Sequence, residues 1–176
     1  AIGDWFEDAC AALGLIDGPV VLVGSSMGGW ISLLVSRAMP EKIAGLVTIA
    51  AAPDFTEDGY WNTFTVEKKN ELTPRGFVEI PSDYTEPYII TRKMIEDGRN
   101  QLVLRAPLSL DFPVRCLQGT ADTAVSTETA LRLLAHATCP DMQLLLVKDA
   151  DHRFSDGPCL GLIEAAVTEV LEIATS

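Results

Sequence analysis

Val20 to Trp30 reads VVLVGSSMGGW: four apolar residues, two serines set among three glycines, then a bulky aromatic. Only one frame fits the pattern G-x-S-x-G, namely Gly24-Ser25-Ser26-Met27-Gly28, because centring it on Ser25 would require glycine where Val23 and Met27 stand. A strand that turns directly into a helix forces its turning residue into a strained conformation, and small neighbours two residues before and two after let the backbones pass. Gly24 and Gly28 are expected to supply that room. Ser26 is then held out at the C-terminal end of the strand, where the N-terminus of the following helix favours developing negative charge. Ser26 is the candidate nucleophile, and the Met27 N–H is a candidate oxyanion donor.

Working outward, apolar runs alternate with helical patterns. Strands are expected at Val20–Val23, Ile43–Ala51, Val114–Gln118 and Gln143–Val147. Helices are expected at Asp4–Leu13, from the glycines to Met39 with Ile31, Leu34, Val35 and Ala38 as its apolar stripe, at Ser126–Ala137, and at Leu160–Ile173 with Leu160, Ile163, Val167 and Val170 on one face. Strands that lack polar alternation and are separated by helices imply an α/β fold, with a parallel sheet covered on both faces. Between Pro53 and Pro113 the pattern changes: Phe55, Tyr60, Trp61, Phe64, Phe77, Tyr84 and Tyr88 mix with charges and prolines. The stretch is too long for a simple connection and is expected to hold its own helices as a small cap insertion, residues 54–112 of one domain spanning 1–176. Its aromatics are either the cap's own core or the walls of a substrate pocket.

Composition narrows the function classes. The chain has 176 residues, is 48% hydrophobic and has a formal net charge of -12 with no basic block, so binding a phosphate backbone would meet repulsion. No apolar run is long enough to cross a bilayer, and the acidic N-terminal stretch AIGDWFEDAC lacks the positive charge of a signal peptide. Neither nucleic acid nor a membrane span is expected. Cys10, Cys116, Cys139 and Cys159 are scattered without metal-ligand or redox spacing. They read as reduced, mostly buried thiols in a reducing, cytoplasmic compartment.

A serine hydroxyl needs a base, and the chain has two histidines. His136 lies in the last turn of a helix, where an imidazole is commonly structural. His152, in KDADHRFSDG, lies between the last strand and the last helix, on the sheet edge where Ser26 is expected. The third member should be a carboxylate that orients the imidazole. Asp122, in LQGTADTAVS, follows the penultimate strand on that edge and is the first choice; Asp54, after the preceding strand, is the alternative. Asp149 and Asp151 are too near His152 in sequence to face its ring easily and are expected to cap or solvate the turn. The order Ser26, Asp122, His152 is that of the α/β-hydrolases.

Longer blocks carry a wider resemblance: DGPVVLVGSSMGGW, RAMPEKIAGLVTIAAAPDF, FVEIPSDY, APLSLDFPVRCLQGTADTAVS and KDADHRFS. The chain resembles the α/β-hydrolases, and within them the branch of the mitochondrial acyl-protein thioesterases and acyl-glucuronide esterases with their bacterial relatives. Gln118 departs from that branch, which usually has histidine there, and Ser126 stands where it commonly has proline. The resemblance implies a serine esterase or thioesterase that needs no cofactor and acts on a small acyl ester or thioester, or on an acylated protein. Two other readings stay open: an idle hydrolase-fold binding protein, and a hydrolase-fold enzyme of other chemistry, such as a perhydrolase or C–C hydrolase. The resemblance also implies an interior nucleophile strand and a second oxyanion donor from an earlier loop. The chain is therefore expected to be an N-terminally truncated piece lacking N-terminal strands, and that N-terminus is where a targeting signal would lie.

Overall fold

Four apolar segments pair side by side as the pattern requires. The computed structural model describes residues 1–81 and 86–176; Tyr84 is among those outside the described residues. The chain divides into two compact units, Phe6–Pro53 with Val103–Ser176, and Ala1–Trp5 with Asp54–Leu102.

The first unit is built on a parallel sheet of β1 (Val20–Ser25), β2 (Ile43–Ile49), β5 (Val114–Gly119) and β6 (Met142–Val147), in the order β1-β2-β5-β6. The register sets Ser25 beside Ile49, Ile49 beside Leu117, and Gly119 beside Val147. The strands therefore end nearly level, and the loops that follow them share one edge. Every residue of β5 is buried, and β2 is nearly so. The outer strands differ from the expectation of cover on both faces: Val23 on β1 and Leu145 and Leu146 on β6 are exposed.

Helix α1 (Ile2–Gly14) precedes β1 in the chain, and helix α2 (Met27–Ala38), which follows it, is buried over more than the predicted stripe, since Gly29 and Trp30 through Ser36 include seven buried residues besides the half-buried Ile31. Ala38, predicted on the apolar face, is exposed. Ser32 lowers the cost of burial by donating to Gly28 O at 2.8 Å. The last helix, α6 (Gly157–Ala174), starts earlier than predicted because Asp156 accepts from Cys159 N at 2.7 Å and caps it, with proline in the first turn. Its inward side is Cys159, Ala166 and Val170, flanked by Ile163 and Val167, packed on Val47, Ile49 and Leu117; Leu160, predicted on that face, points to solvent. Helix α5 (Thr127–His136) lies between β5 and β6 in the chain.

The second unit has the expected helices, α3 (Val66–Arg75) and α4 (Arg92–Gly98), capped by Thr65 and Thr91, and a π-helical turn over Thr56–Trp61. It also has an antiparallel pair that was not expected, β3 (Phe77–Ile80) with β4 (Tyr88–Thr91). Four-residue strands bounded by Pro81 and Pro87 are too short to show a period of two. Of the aromatics, Phe64 is in the unit's own core with Leu72, Val78, Ile90 and Ile95, and Tyr60 and Trp61 pack against it. Trp61 is flanked by Lys69 at 5.1 Å and Arg99 at 4.6 Å, whereas Tyr88 is exposed.

Gly45 on β2 lets α6 approach the sheet, because a Cβ there would run into Cγ1 of Val170, a stiff and fully buried side chain. Gly45→Ala is expected to lower stability by about 1–3 kcal/mol in urea unfolding; a midpoint equal to that of the wild type would contradict this packing.

Candidate active site

The turn at Ser26 has the strain its sequence implies. Ser26 has φ 52° and ψ -119°, a region costly for a residue with a Cβ, of order 1–3 kcal/mol. Three backbone hydrogen bonds hold it there: Ser26 N donates to Ile49 O at 2.8 Å, and Ser26 O accepts from Gly29 N and Ala52 N, both at 3.0 Å. Met27 is the first residue of α2, so its N–H has no acceptor within the helix and lies next to the Ser26 hydroxyl in the chain.

The glycines act differently from the pattern's simple reading. A Cβ at Gly24 would lie 2.5 Å from both Gly28 O and Ser32 Oγ, so the strand must be glycine where the helix crosses it. A Cβ at Gly28, by contrast, would meet nothing within 4 Å; its backbone, not its missing side chain, makes the contact. The close approach on the helix side belongs to Gly29, where a Cβ would sit 2.7 Å from Ala51 Cβ and 3.0 Å from Ala51 Cα. Gly29 was missed because it lies one residue beyond the motif, although the doubled glycine was visible.

Level strand ends bring the other two predicted residues to Ser26. His152 Nε2 is 3.1 Å from Ser26 Oγ, and His152 Nδ1 is 2.8 Å from Asp122 Oδ2. Since a carboxylate can only accept, Nδ1 carries the proton, leaving Nε2 free to accept from the serine. The Asp122 side chain is fully buried and His152 is 31% exposed, so the acid is shielded while the imidazole is open to solvent. Asp122 Oδ1 accepts from Ala124 N and Val125 N, each at 2.8 Å, and Oδ2 also accepts from Gln118 Nε2 at 3.0 Å.

The loop that carries His152 is fixed by its neighbours. Asp149 N donates to Thr120 Oγ1 at 2.9 Å, and Ala121 N donates to Ala150 O at 3.0 Å. Gly119 permits this contact, since a Cβ there would collide with the Ala150 carbonyl. Asp151 caps the turn as anticipated, its Oδ1 accepting from Arg153 N at 3.0 Å and Phe154 N at 3.1 Å, while buried Phe154 pins the loop into the core. Asp149 and Phe154 both have positive φ, so the loop reverses sharply at two points around His152.

The alternatives take other roles. His136 Nε2 lies 2.8 Å from Ala106 O, a structural contact, and Asp54 is a buried residue of the other unit whose carbonyl accepts from Glu57 N and Asp58 N. Ser126, the other departure, caps α5 by accepting from Thr129 N at 3.3 Å. All four cysteines are free; Cys116 and Cys159 are buried, and Cys10 and Cys139 are half-buried. Burial pushes the Cys116 and Cys159 thiols up to about 11, so at neutral pH neither is the thiolate a nucleophile requires. Among the described residues no His, Cys, Asp and Glu side chains are grouped to hold a metal ion, and no helix is long and apolar enough to cross a membrane.

Comparison with known proteins gives the same architecture. A model described as alpha/beta hydrolase family matches residues 1–165. The palmitoyl-protein thioesterase ABHD10 (mitochondrial) of Pongo abelii is 31% identical over 174 residues; that alignment covers 97% of this chain, which spans 56% of the relative's length. A crystal structure from Agrobacterium vitis S4 superimposes with a TM-score of 0.93 at 36% identity, covering 97% of this chain and 68% of that one. Mouse alpha/beta hydrolase domain-containing protein 10 gives 0.89 at 28% identity, covering 98% and 70%.

The glycine geometry is separable by mutation. Gly29→Ala should destabilise the protein by about 1–3 kcal/mol, whereas Gly28→Ala should be neutral or gain up to about 1 kcal/mol from helix propensity. Thermal unfolding of the pair checks this; equal losses would contradict it.

Proposed function

The chain belongs to the alpha/beta hydrolase family, and on that premise we propose that it is a serine hydrolase acting on carboxylic esters or thioesters through an acyl-enzyme on Ser26. The observation that carries the reading is His152 lying within hydrogen-bond reach of both Ser26 Oγ and the buried Asp122 carboxylate.

In this reading Ser26 Oγ attacks the acyl carbonyl while His152 Nε2 takes its proton. Asp122 stays ionised, keeps the proton on Nδ1 and stabilises the imidazolium. The tetrahedral oxyanion is held by donors that include the Met27 N–H, reinforced by the N-terminus of α2. Collapse expels the alcohol or thiol, which receives the proton from His152. Water, deprotonated by the same imidazole, then adds to the acyl-serine, and a second collapse releases the acid and restores Ser26. The residues of the chain suffice for each proton transfer, so the reading calls for no cofactor.

The thioesterase among the relatives supports acyl thioesters as the substrate class, with an acylated protein or a small acyl ester as the carrier of the acyl group. Four free cysteines support a reducing, cytoplasmic setting.

A fluorophosphonate probe should label the protein once, on Ser26. Ser26→Ala should abolish labelling and lower kcat on an acyl ester by roughly 10⁴-fold or more. Labelling or hydrolysis that survives Ser26→Ala would defeat the serine mechanism, and a correctly folded wild-type protein that takes no label would favour an idle binding protein.

A further inference from the structure

We propose that Gln118 is the positioning residue for the acid of this site, its side-chain amide holding the Asp122 carboxylate in the orientation from which Oδ2 reaches His152. The proposal rests on the serine-hydrolase reading above.

Four donors converge on Asp122, and they are not equivalent. Ala124 N and Val125 N belong to the acid's own loop and move with it, while His152 belongs to the loop it must be aligned against. Gln118 alone of the four is on the sheet, next to last in β5, a strand buried along its whole length. Its Nε2 donates to Asp122 Oδ2 at 3.0 Å, the same oxygen that accepts from His152 Nδ1 at 2.8 Å. The same nitrogen is 3.0 Å from Val125 O and 3.1 Å from Gly119 O, so it ties both ends of the acid loop back to the strand.

All three partners of Nε2 are oxygens that only accept, so the amide cannot be turned round without facing its own oxygen to a carboxylate and two carbonyls. The consequence is a defect elsewhere: Gln118 Oε1 is buried and has no hydrogen-bond partner among the described residues. A buried acceptor without a partner is costly, and an apolar side chain of similar size would avoid that cost. What the amide supplies at that cost is its donor end, shared by the Asp122 carboxylate and the Val125 and Gly119 carbonyls.

A neutral amide also suits the chemistry. A lysine or arginine would neutralise Asp122 and take away the charge that stabilises the imidazolium. Glutamine donates at every pH and leaves the carboxylate its charge. The groups packed around Oδ2 are then Gln118 from β5, His152 from the base loop, and the Ala124 and Val125 backbone from the acid loop on the far oxygen.

Two variants test this. Gln118→Met keeps the length and removes the donor; Gln118→Glu keeps the shape but can donate only when protonated. For Gln118→Met, kcat on an acyl ester and the fluorophosphonate labelling rate should fall about 10- to 100-fold, with KM within about twofold, as for residues that orient a reacting group indirectly. Its melting temperature should fall only slightly, because loss of the donor to the Val125 and Gly119 carbonyls is offset in part by removal of the unpartnered acceptor. For Gln118→Glu the activity relative to wild type should fall as pH rises from about 5 to about 9, as the added carboxyl loses its proton beside Asp122. Labelling that depends on Ser26 but is unchanged in Gln118→Met, or a Gln118→Glu ratio flat with pH, would overturn the proposal alone. Labelling that survives Ser26→Ala would remove the reading beneath it as well.

Discussion

One residue has to end a strand and begin a helix at the same time, and the rest of the site follows from how that is achieved. Ser26 accepts φ 52° because its N–H and carbonyl are bonded to Ile49, Gly29 and Ala52, and because Gly24 and Gly29 let α2 lie against β1 and the end of β2. Positive φ recurs at Ala50 after β2 and at Asp149 and Phe154 after β6. Such backbone is affordable at this edge because the strands behind it are rigid: β5 is wholly buried and β2 nearly so. Strained turns on a stiff sheet place side chains more reproducibly than loops of relaxed backbone would.

The hydrogen bond from Ser26 to His152 joins positions 126 residues apart, and its length depends on two loops meeting correctly. They meet backbone to backbone. Gly119 has no side chain to obstruct the Ala150 carbonyl, and Thr120 and Ala121 bond directly to Asp149 and Ala150. Asp122 is therefore tied to the strand through Gln118, and the loop of His152 to the loop of Asp122, so error does not accumulate along a free chain. Full burial of Asp122 beside a partly open His152 fits the proposed mechanism, in which the carboxylate charge would persist and the imidazole would exchange protons with solvent.

Much of this was legible in the residues. Gly24, Ser26 and Gly28 mark a turn at one position, and the places of Asp122 and His152 after successive strands bring them to one edge in any parallel sheet. Asp151 was readable as a turn cap because Asx side chains bond the backbone two and three residues on. What escaped depended on tertiary contacts. Gly29 matters through Ala51 and Gly119 through Ala150, and Gln118, legible in the sequence only as a departure from the branch, acts through a carboxylate four residues away around a turn; none of these pairs forms a periodic pattern. The β3–β4 pair was hidden by its shortness, and the wide burial of α2 by the limits of a one-sided helical stripe when a helix has neighbours on more than one face.

The central claim is that the strained Ser26 hydroxyl becomes covalently acylated. The most direct measurement is intact-protein mass spectrometry after rapid mixing with an acyl thioester and acid quenching, followed by mapping of the modified peptide. The account predicts a transient gain of one acyl group, carried on the peptide containing Ser26 and absent when His152 is replaced by alanine. Thioester turnover with no acylated chain at any time, or an acyl group carried on a cysteine instead, would contradict it.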